Sequence, residues 1–259
     1  MPAELRVERR ETTLILTFSN PGMRNALAPE MYAAMLEAFA LAERDATVRA
    51  LILTGADGVF CAGGNLKRLL DNRAKPPQVQ ADSIASLHQL TRAITNSGKP
   101  VIAAVEGAAA GAGLSLALAC DLIVAGRSAK FVMAYVKVGL SPDGGGSWFA
   151  SRALPRQSAA EMMLEGGAWS SDRLHALGAV NQVVADGEAL TAALERAHRL
   201  ATLSPHALSS IKRLLAGARE LPLETQLERE QQSFVACLHH AEAGEAISAF
   251  LEKRKARFG

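Results

Sequence analysis

Two glycine-rich turns, each following an apolar strand-like run, are the segments of this chain best suited to chemistry. The first, residues 59–65, contains Gly63 and Gly64, and the second, residues 106–113, contains Ala112 between two glycines. Small residues let the backbone approach a ligand closely, and each turn leads into a segment that resembles a helix start. A helix start offers unpaired N–H groups and the positive end of the helix dipole. Two such ends directed at one point would form a hole for a developing oxyanion.

Asp143 is the second candidate for chemistry. It precedes three consecutive glycines and a helical segment, so its side chain could cap that helix. A carboxylate beside small residues could equally transfer protons as a general acid or base. The residues alone leave both roles open.

The elements that must position these residues follow from the alternation of strand and helix patterns. The chain begins with a predicted hairpin, after which the predicted strands are 49–54, 101–105 and 121–125, and the predicted helices are 29–44, 65–72 and 81–96. Residues 73–79, which include two prolines, are predicted to form a loop. This alternation indicates an α/β fold with a mainly parallel sheet. We expect a core domain over residues 1–190 that carries the site, and a helical region over residues 191–259 that packs on a neighbouring subunit.

Composition limits the classes of function. The net charge of +2 and the lack of a basic stripe argue against a nucleic-acid partner. The longest uncharged run, residues 107–120, is too short to span a bilayer, so no membrane partner is expected. The six histidines show no metal-ligand spacing, and three cysteines in apolar surroundings suggest reduced thiols. We therefore predict a cytoplasmic protein that holds no metal.

Five motifs, in their order and spacing, resemble those of the crotonase (enoyl-CoA hydratase/isomerase) superfamily across nearly the whole chain. They lie at residues 20–27, 60–66, 109–121, 139–146 and 249–254. The resemblance implies a crotonase-like spiral of ββα units with a helical C-terminal trimerisation region. It also implies a homotrimer or a dimer of trimers. The substrate would be an acyl-CoA thioester, so coenzyme A would enter as part of the substrate and no separate cofactor would be required.

The same resemblance assigns roles to individual residues. The backbone N–H groups of Gly64 and Ala112 would form the oxyanion hole. Several other positions would contact coenzyme A, the last two of them on a neighbouring subunit's ligand: Arg24, Ala62, Asn65, Leu66, Phe250 and Lys253.

Departures from the family pattern decide the predicted reaction. Ser115 and Tyr135 stand where hydratases of the family carry two glutamates, so ordinary hydration is disfavoured. The sequence from Pro142 to Trp148 resembles ring-epoxide isomerases of aerobic phenylacetate breakdown and oxepin-CoA hydrolase-type relatives. The resemblance therefore implies an acyl-CoA isomerase of aromatic or fatty acyl-CoA catabolism, with Asp143 as the acid/base. Tyr135, Trp148, Met133 and the 73–79 loop are expected to shape the acyl pocket.

Two alternative hypotheses accompany this prediction. Asp143 also matches the nucleophilic aspartate of chlorobenzoyl-CoA dehalogenases, and His88 matches their catalytic histidine. That resemblance would imply a hydrolytic enzyme with a covalent intermediate, although His88 could instead be structural. The last alternative is an enoyl-CoA hydratase-like protein with little hydratase activity, or a non-catalytic homologue that binds acyl-CoA or RNA.

Overall fold

The computed structural model describes residues 2–258, and its centre is a six-stranded sheet. The neighbouring strands are, in spatial order, β1 (Glu4–Arg10), β2 (Thr13–Ser19), β3 (Ala50–Gly55), β4 (Val101–Val105), β6 (Leu122–Gly126) and β9 (Gln182–Val184). β1 and β2 form the predicted antiparallel hairpin, and the other neighbours are parallel. A second sheet contains β5 (Ala108–Ala110), β7 (Lys130–Val132) and β8 (Ala168–Ser170).

Helices surround the two sheets. They are α1 (Pro29–Arg44), α2 (Leu66–Asn72), α3 (Pro77–Asn96), α4 (Ala112–Ala119), α5 (Gly146–Ala153), α6 (Arg156–Glu165), α7 (Ser171–Ala176), α8 (Ala189–Ala201), α9 (Pro205–Gly217), α10 (Leu223–Leu238) and α11 (Ala241–Leu251). Short 3₁₀ helices cover Ala56–Gly58 and Ala134–Val138. The predicted α/β class is therefore confirmed. No helix within residues 2–258 combines the length and apolar character needed to cross a membrane.

The central strands β3, β4 and β6 are buried on both faces of the sheet, which explains their apolar runs. Leu51 and Leu53 face the cluster that α1, α3 and α4 contribute to, whereas Ala50 and Ile52 face α8. Their side chains are fully buried. The helical C-terminal part thus begins with a helix that covers the sheet. The proposed division at residue 190 falls within the first turn of α8, so α9 to α11 are the helices beyond the core.

Helix α3 begins at Pro77, earlier than the predicted start at residue 81. Proline is favourable at the first helical position because its missing N–H would be unpaired there and its fixed φ suits the helix. The predicted loop over residues 73–79 is accordingly shorter, covering residues 73–76. This extension adds a turn of helix beside the candidate site.

Candidate active site

A cavity of about 430 Å³ lies where the two glycine-rich turns meet α2, α3 and the segment before α5. Eight of the residues singled out from the sequence line it: Ala62, Gly64, Asn65, Leu66, His88, Ala112, Tyr135 and Asp143. The fold therefore brings together residues from four separate stretches of the chain. Along the sequence these residues are related only by the motifs that contain them.

The two turns are joined by backbone hydrogen bonds. Cys61 N donates to Ala108 O at 2.9 Å, and Ala110 N donates to Cys61 O at 2.9 Å. Gly63 follows with φ of +85°, and a Cβ placed there would lie 2.5 Å from Ala110 O. Only glycine can occupy this position, because it tolerates both the left-handed backbone and the close approach. These hydrogen bonds between the two turns place Gly64 near the N-terminus of α4.

The N–H groups of Gly64 and Ala112 are available to a ligand. Ala112 is the first residue of α4, and Gly111 is its N-cap. Within residues 2–258, neither N–H donates to a protein acceptor. Both residues line the cavity, and the helix dipole increases the attraction of the Ala112 N–H for a negative oxygen. This arrangement can stabilise a thioester enolate.

Gly113 allows the two turns to pack closely, because a Cβ at this position would lie 2.4 Å from Cys61 O. We expect Gly113→Ala to lower the free energy of unfolding by about 1–3 kcal/mol, since the added methyl group must displace backbone. Urea unfolding measures the effect. Gly244→Ala is the matched control, because open space surrounds this position within α11 and alanine should stabilise that helix by about 0.5–1 kcal/mol. A Gly113→Ala protein as stable as the wild type would contradict this close packing.

Cys61 lies beneath the first turn and is not a nucleophile in this arrangement. Its side chain is fully buried, and burial raises the pKa of the thiol to about 12. The sulfur accepts a hydrogen bond from Gly63 N at 3.4 Å, which helps to fix the turn. All three cysteines are free thiols.

Asp143 is the one carboxylate that lines the cavity within residues 2–258. The Tyr135 hydroxyl donates to its Oδ1 at 2.6 Å, and no group in the described chain donates to its Oδ2. The helix-cap hypothesis is wrong, because Gly145 is the N-cap of α5 and no side chain caps that helix. The carboxylate instead points into the cavity with one oxygen held and the other open.

Both tyrosines of the chain border this cavity, and burial is the main cause of their raised pKa values. The pKa of Tyr32 is raised to about 12, and that of Tyr135 is raised further by the adjacent charge of Asp143. Tyr135 therefore remains a hydrogen-bond donor at neutral pH.

A pH titration tests this environment. We expect the native protein to form no tyrosinate, measured by ultraviolet absorbance, at about pH 10, where tyrosines of the urea-unfolded chain ionise. Because the folded pKa values lie above the unfolded ones, the unfolded chain binds fewer protons above about pH 10, and the free energy of unfolding should fall as pH rises. Native tyrosines that titrate like those of the unfolded chain would contradict the burial described here.

Ser115 does not line the cavity but contacts the backbone of Asp143, which does. Its side chain is fully buried, and its hydroxyl donates to Asp143 O at 2.9 Å. A Cβ at Gly146 would lie 2.6 Å from Ser115 Oγ, so the hydroxyl is enclosed by the chain around Asp143. Ser115 thus fixes the backbone that carries Asp143.

His88, for which the sequence is consistent with either a catalytic or a structural role, lies half-buried on α3 at the cavity wall. Among the residues described, no group hydrogen-bonds to its ring. The ring is therefore available to a ligand or a water molecule.

Trp148, expected to shape the acyl pocket, does not line this cavity. Its side chain is 43% exposed and lies under the guanidinium of Arg152, with Arg152 Cζ 3.7 Å from the ring centroid. The residue lies on the solvent-facing side of α5, which the glycine motif before it could not indicate. Met133 is also outside the lining, because it is buried behind Gly146.

Three of the residues expected to contact coenzyme A lie outside the cavity of the single chain. Arg24 is exposed, and its carbonyl accepts a hydrogen bond from Ala62 N at 3.0 Å, beside the cavity. Phe250 and Lys253 are exposed near the C-terminus, with 83% of Phe250 accessible. Their proposed role on a neighbour's ligand remains a prediction.

A further set of polar side chains lies in the cavity wall, and no motif of the sequence predicted it. Arg68 on α2 donates from Nη2 to Ser83 Oγ on α3 at 2.6 Å, and Tyr32 and Gln80 lie in the same wall. One signal could have indicated Arg68, because it lies one helical turn after Asn65, the N-cap of α2. No local pattern indicates Tyr32 or Ser83, since tertiary packing alone brings their helices to the cavity.

Comparison with known proteins agrees with this geometry. The protein-family profile described as Enoyl-CoA hydratase/isomerase matches residues 8–259. The chain is 39% identical over 246 residues to 1,2-epoxyphenylacetyl-CoA isomerase of Escherichia coli K12, covering 95% of this chain and 94% of that protein. It is 32% identical over 260 residues to 2,3-dehydroadipyl-CoA hydratase of the same strain, covering 99% and 98%.

A solved structure shows the same architecture. The crystal structure of an enoyl-CoA hydratase from Polaromonas sp. JS666 superposes with a TM-score of 0.97 at 52% sequence identity, covering 99% of this chain and all of that one. The fold is therefore the crotonase fold, as the sequence resemblance implied. On the profile, the relatives and the fold together, the chain belongs to the enoyl-CoA hydratase/isomerase family of acyl-CoA enzymes.

Proposed function

We propose that this protein is an acyl-CoA isomerase that moves a proton along the acyl group with Asp143 as its acid/base. The observation that carries the proposal is the pairing of one cavity carboxylate, held at Oδ1 by Tyr135, with two unpaired N–H groups in the same cavity. Hydratases of the family are expected to need two glutamates, and Ser115 and Tyr135 occupy those positions. The relative named an isomerase supports the assignment, whereas the relative named a hydratase makes hydration the reaction to test against.

The proposed mechanism uses groups of this chain alone. The thioester oxygen accepts hydrogen bonds from Gly64 N–H and Ala112 N–H. Oδ2 of Asp143 removes a proton from a carbon of the acyl group, and the electron pair of that C–H bond moves toward the thioester to form an enolate. The protonated Asp143 then returns the proton to a different carbon, and the double bond is displaced. Tyr135 fixes the carboxylate so that the same oxygen performs both steps.

Coenzyme A binding and assembly are part of the proposal. Ala62, Asn65 and Leu66 line the cavity, with Arg24 next to them in space. Helices α9 to α11 expose large apolar side chains, which include Leu215, Phe234 and Phe250. Burial of this surface in a homotrimer, or a dimer of trimers, would bring Phe250 and Lys253 near a neighbouring site.

A comparison of two reactions tests the proposal. We expect a 3-enoyl-CoA to be converted to its 2-enoyl isomer at least about a hundredfold faster than crotonyl-CoA is hydrated, because no second carboxylate activates water in this cavity. Liquid chromatography with mass spectrometry measures both products from one enzyme sample. Hydration that equals or exceeds isomerisation, across straight-chain and aromatic acyl groups, would overturn the proposed reaction.

A hydrolytic reaction is the second candidate, because His88 lines the same cavity as Asp143 and its ring has no partner in the described chain. In that reaction Asp143 would displace a leaving group from a carbon of the acyl group, which forms an ester of Asp143 as the bond to the leaving group breaks. His88 would then activate the water that hydrolyses this ester and releases the hydroxylated product. The non-catalytic alternative lacks such support, since the oxyanion donors and Asp143 share one cavity.

A further inference from the structure

The wall of the cavity formed by α2 and α3 carries a cation that the proposed mechanism does not use. Arg68 and Asp143 are the two charged residues that line the cavity within residues 2–258. Arg68 is accompanied by Tyr32, which is 7% exposed, and by Ser83. We call these three residues the Arg68 cluster.

The guanidinium of Arg68 has unused hydrogen-bonding capacity. Nη2 donates to Ser83 Oγ at 2.6 Å, but Nη1 is buried and has no acceptor in the described chain. Arg68 also forms no ion pair with a carboxylate of residues 2–258. Arg68 as a whole is half-buried, but its buried Nη1 has donor capacity that a bound oxygen atom could use.

The Arg68 cluster lines the same cavity as Asp143. The hydrogen bond from Arg68 to Ser83 joins α2 to α3 in this wall. Apolar residues such as Leu87 and Ile84 complete the adjacent wall. A plain hydrocarbon chain against this wall would leave Arg68 Nη1 without an acceptor.

We propose that the Arg68 cluster binds an oxygen atom of the acyl group, so that the substrates are oxygenated acyl-CoA thioesters. The inference rests on the proposed function in one respect, that the ligand is an acyl-CoA. A guanidinium offers donors to a carboxylate at the end of a chain and to a hydroxyl or ether oxygen on a ring. Arg68 would then select the substrate and orient it against Asp143.

Binding of unreactive, saturated or aromatic thioesters tests this inference by isothermal titration calorimetry. One matched pair is adipoyl-CoA and hexanoyl-CoA, and the other is 2-hydroxyphenylacetyl-CoA and phenylacetyl-CoA. We expect the wild type to bind the oxygenated member of at least one pair about tenfold more tightly or better, as hydrogen bonds to a charged group allow. The pair that shows the preference identifies the source of the oxygen.

Variants assign the preference to the cluster. Arg68→Gln should reduce it to about twofold or less while leaving the affinity for the hydrocarbon member unchanged, and Arg68→Lys should retain part of it. If Arg68→Gln fails to fold, Ser83→Ala provides the same test, because it removes the group that orients the guanidinium. Arg92→Gln is the matched control on an exposed residue of α3 outside the cavity lining, and it should change neither affinity.

Two outcomes would overturn the inference. One is a wild type that binds both members of each pair equally. The other is an Arg68→Gln variant that loses affinity equally for all four thioesters and for coenzyme A alone, since Arg68 would then contact the coenzyme. Neither outcome depends on Asp143 chemistry. An enzyme that isomerises enoyl-CoA but binds oxygenated and hydrocarbon thioesters equally would refute this inference alone. An enzyme that prefers the oxygenated thioesters but does not isomerise enoyl-CoA would refute the proposed function alone.

Discussion

Replacement of Ala112 by proline is expected to lower kcat by about a hundred- to thousandfold, because it removes one of the two N–H donors of the proposed oxyanion hole. The fold should tolerate the change, since Ala112 is the first residue of α4 and proline is favourable at that position. Steady-state turnover of an acyl-CoA substrate measures the loss. Binding of coenzyme A, measured in parallel, should stay within about threefold of the wild type.

Ala241→Pro is the matched control for this substitution. Ala241 is exposed and is the first residue of α11, and the extended conformation of His240 before it suits a following proline. We expect this variant to keep full kcat. An Ala112→Pro protein that is folded, binds coenzyme A and keeps wild-type turnover would remove Ala112 from the oxyanion hole.

A second large loss of kcat is expected for Asp143→Asn. The amide cannot accept a proton, so kcat should fall by about a hundred- to ten-thousandfold, the contribution typical of a general acid or base. Stability should change by less than about 1 kcal/mol, because Asp143 caps no helix and the amide oxygen can still accept from Tyr135. Asp71→Asn, at an exposed position of α2 outside the cavity lining, is the control and should keep full activity.

Isotope labelling separates this role from the nucleophilic one. If Asp143 only transfers protons, repeated turnover in ¹⁸O-labelled water leaves no label in its carboxylate. A covalent ester between Asp143 and the acyl group would be released by labelled water, and the label would enter the aspartate. Mass spectrometry of the peptide that contains Asp143 distinguishes the two, and label at this residue would favour the hydrolytic candidate with His88.

The part of the site that depends on local chain geometry could be predicted from the sequence. Gly63 and Gly113 are required where two backbone segments touch, and a helix must begin after the second turn for Ala112 to offer its N–H. Each requirement is met within one turn of a few residues, although the two turns are far apart along the chain. For this reason the sequence indicated both turns and the start of α4.

The rest of the site depends on tertiary packing. Asp143 looked like a cap because it precedes glycines, but the structure uses Gly145 for that purpose and aims the carboxylate at Tyr135. Trp148 was misplaced because the exposed face of α5 is decided by neighbouring helices. The Arg68 cluster joins α1, α2 and α3, and no spacing along the sequence could indicate that contact.

Exchange of substrate hydrogen with solvent deuterium tests the central claim, that Asp143 moves protons on the acyl group. The wild type, incubated with an isomerisable enoyl-CoA in deuterated water, should introduce deuterium into the acyl group, because the proton held by Asp143 can exchange before it is returned. Asp143→Asn should bind the same thioester yet introduce deuterium at least about a hundredfold more slowly. Wild-type exchange that persists undiminished in the folded Asp143→Asn variant would contradict the account.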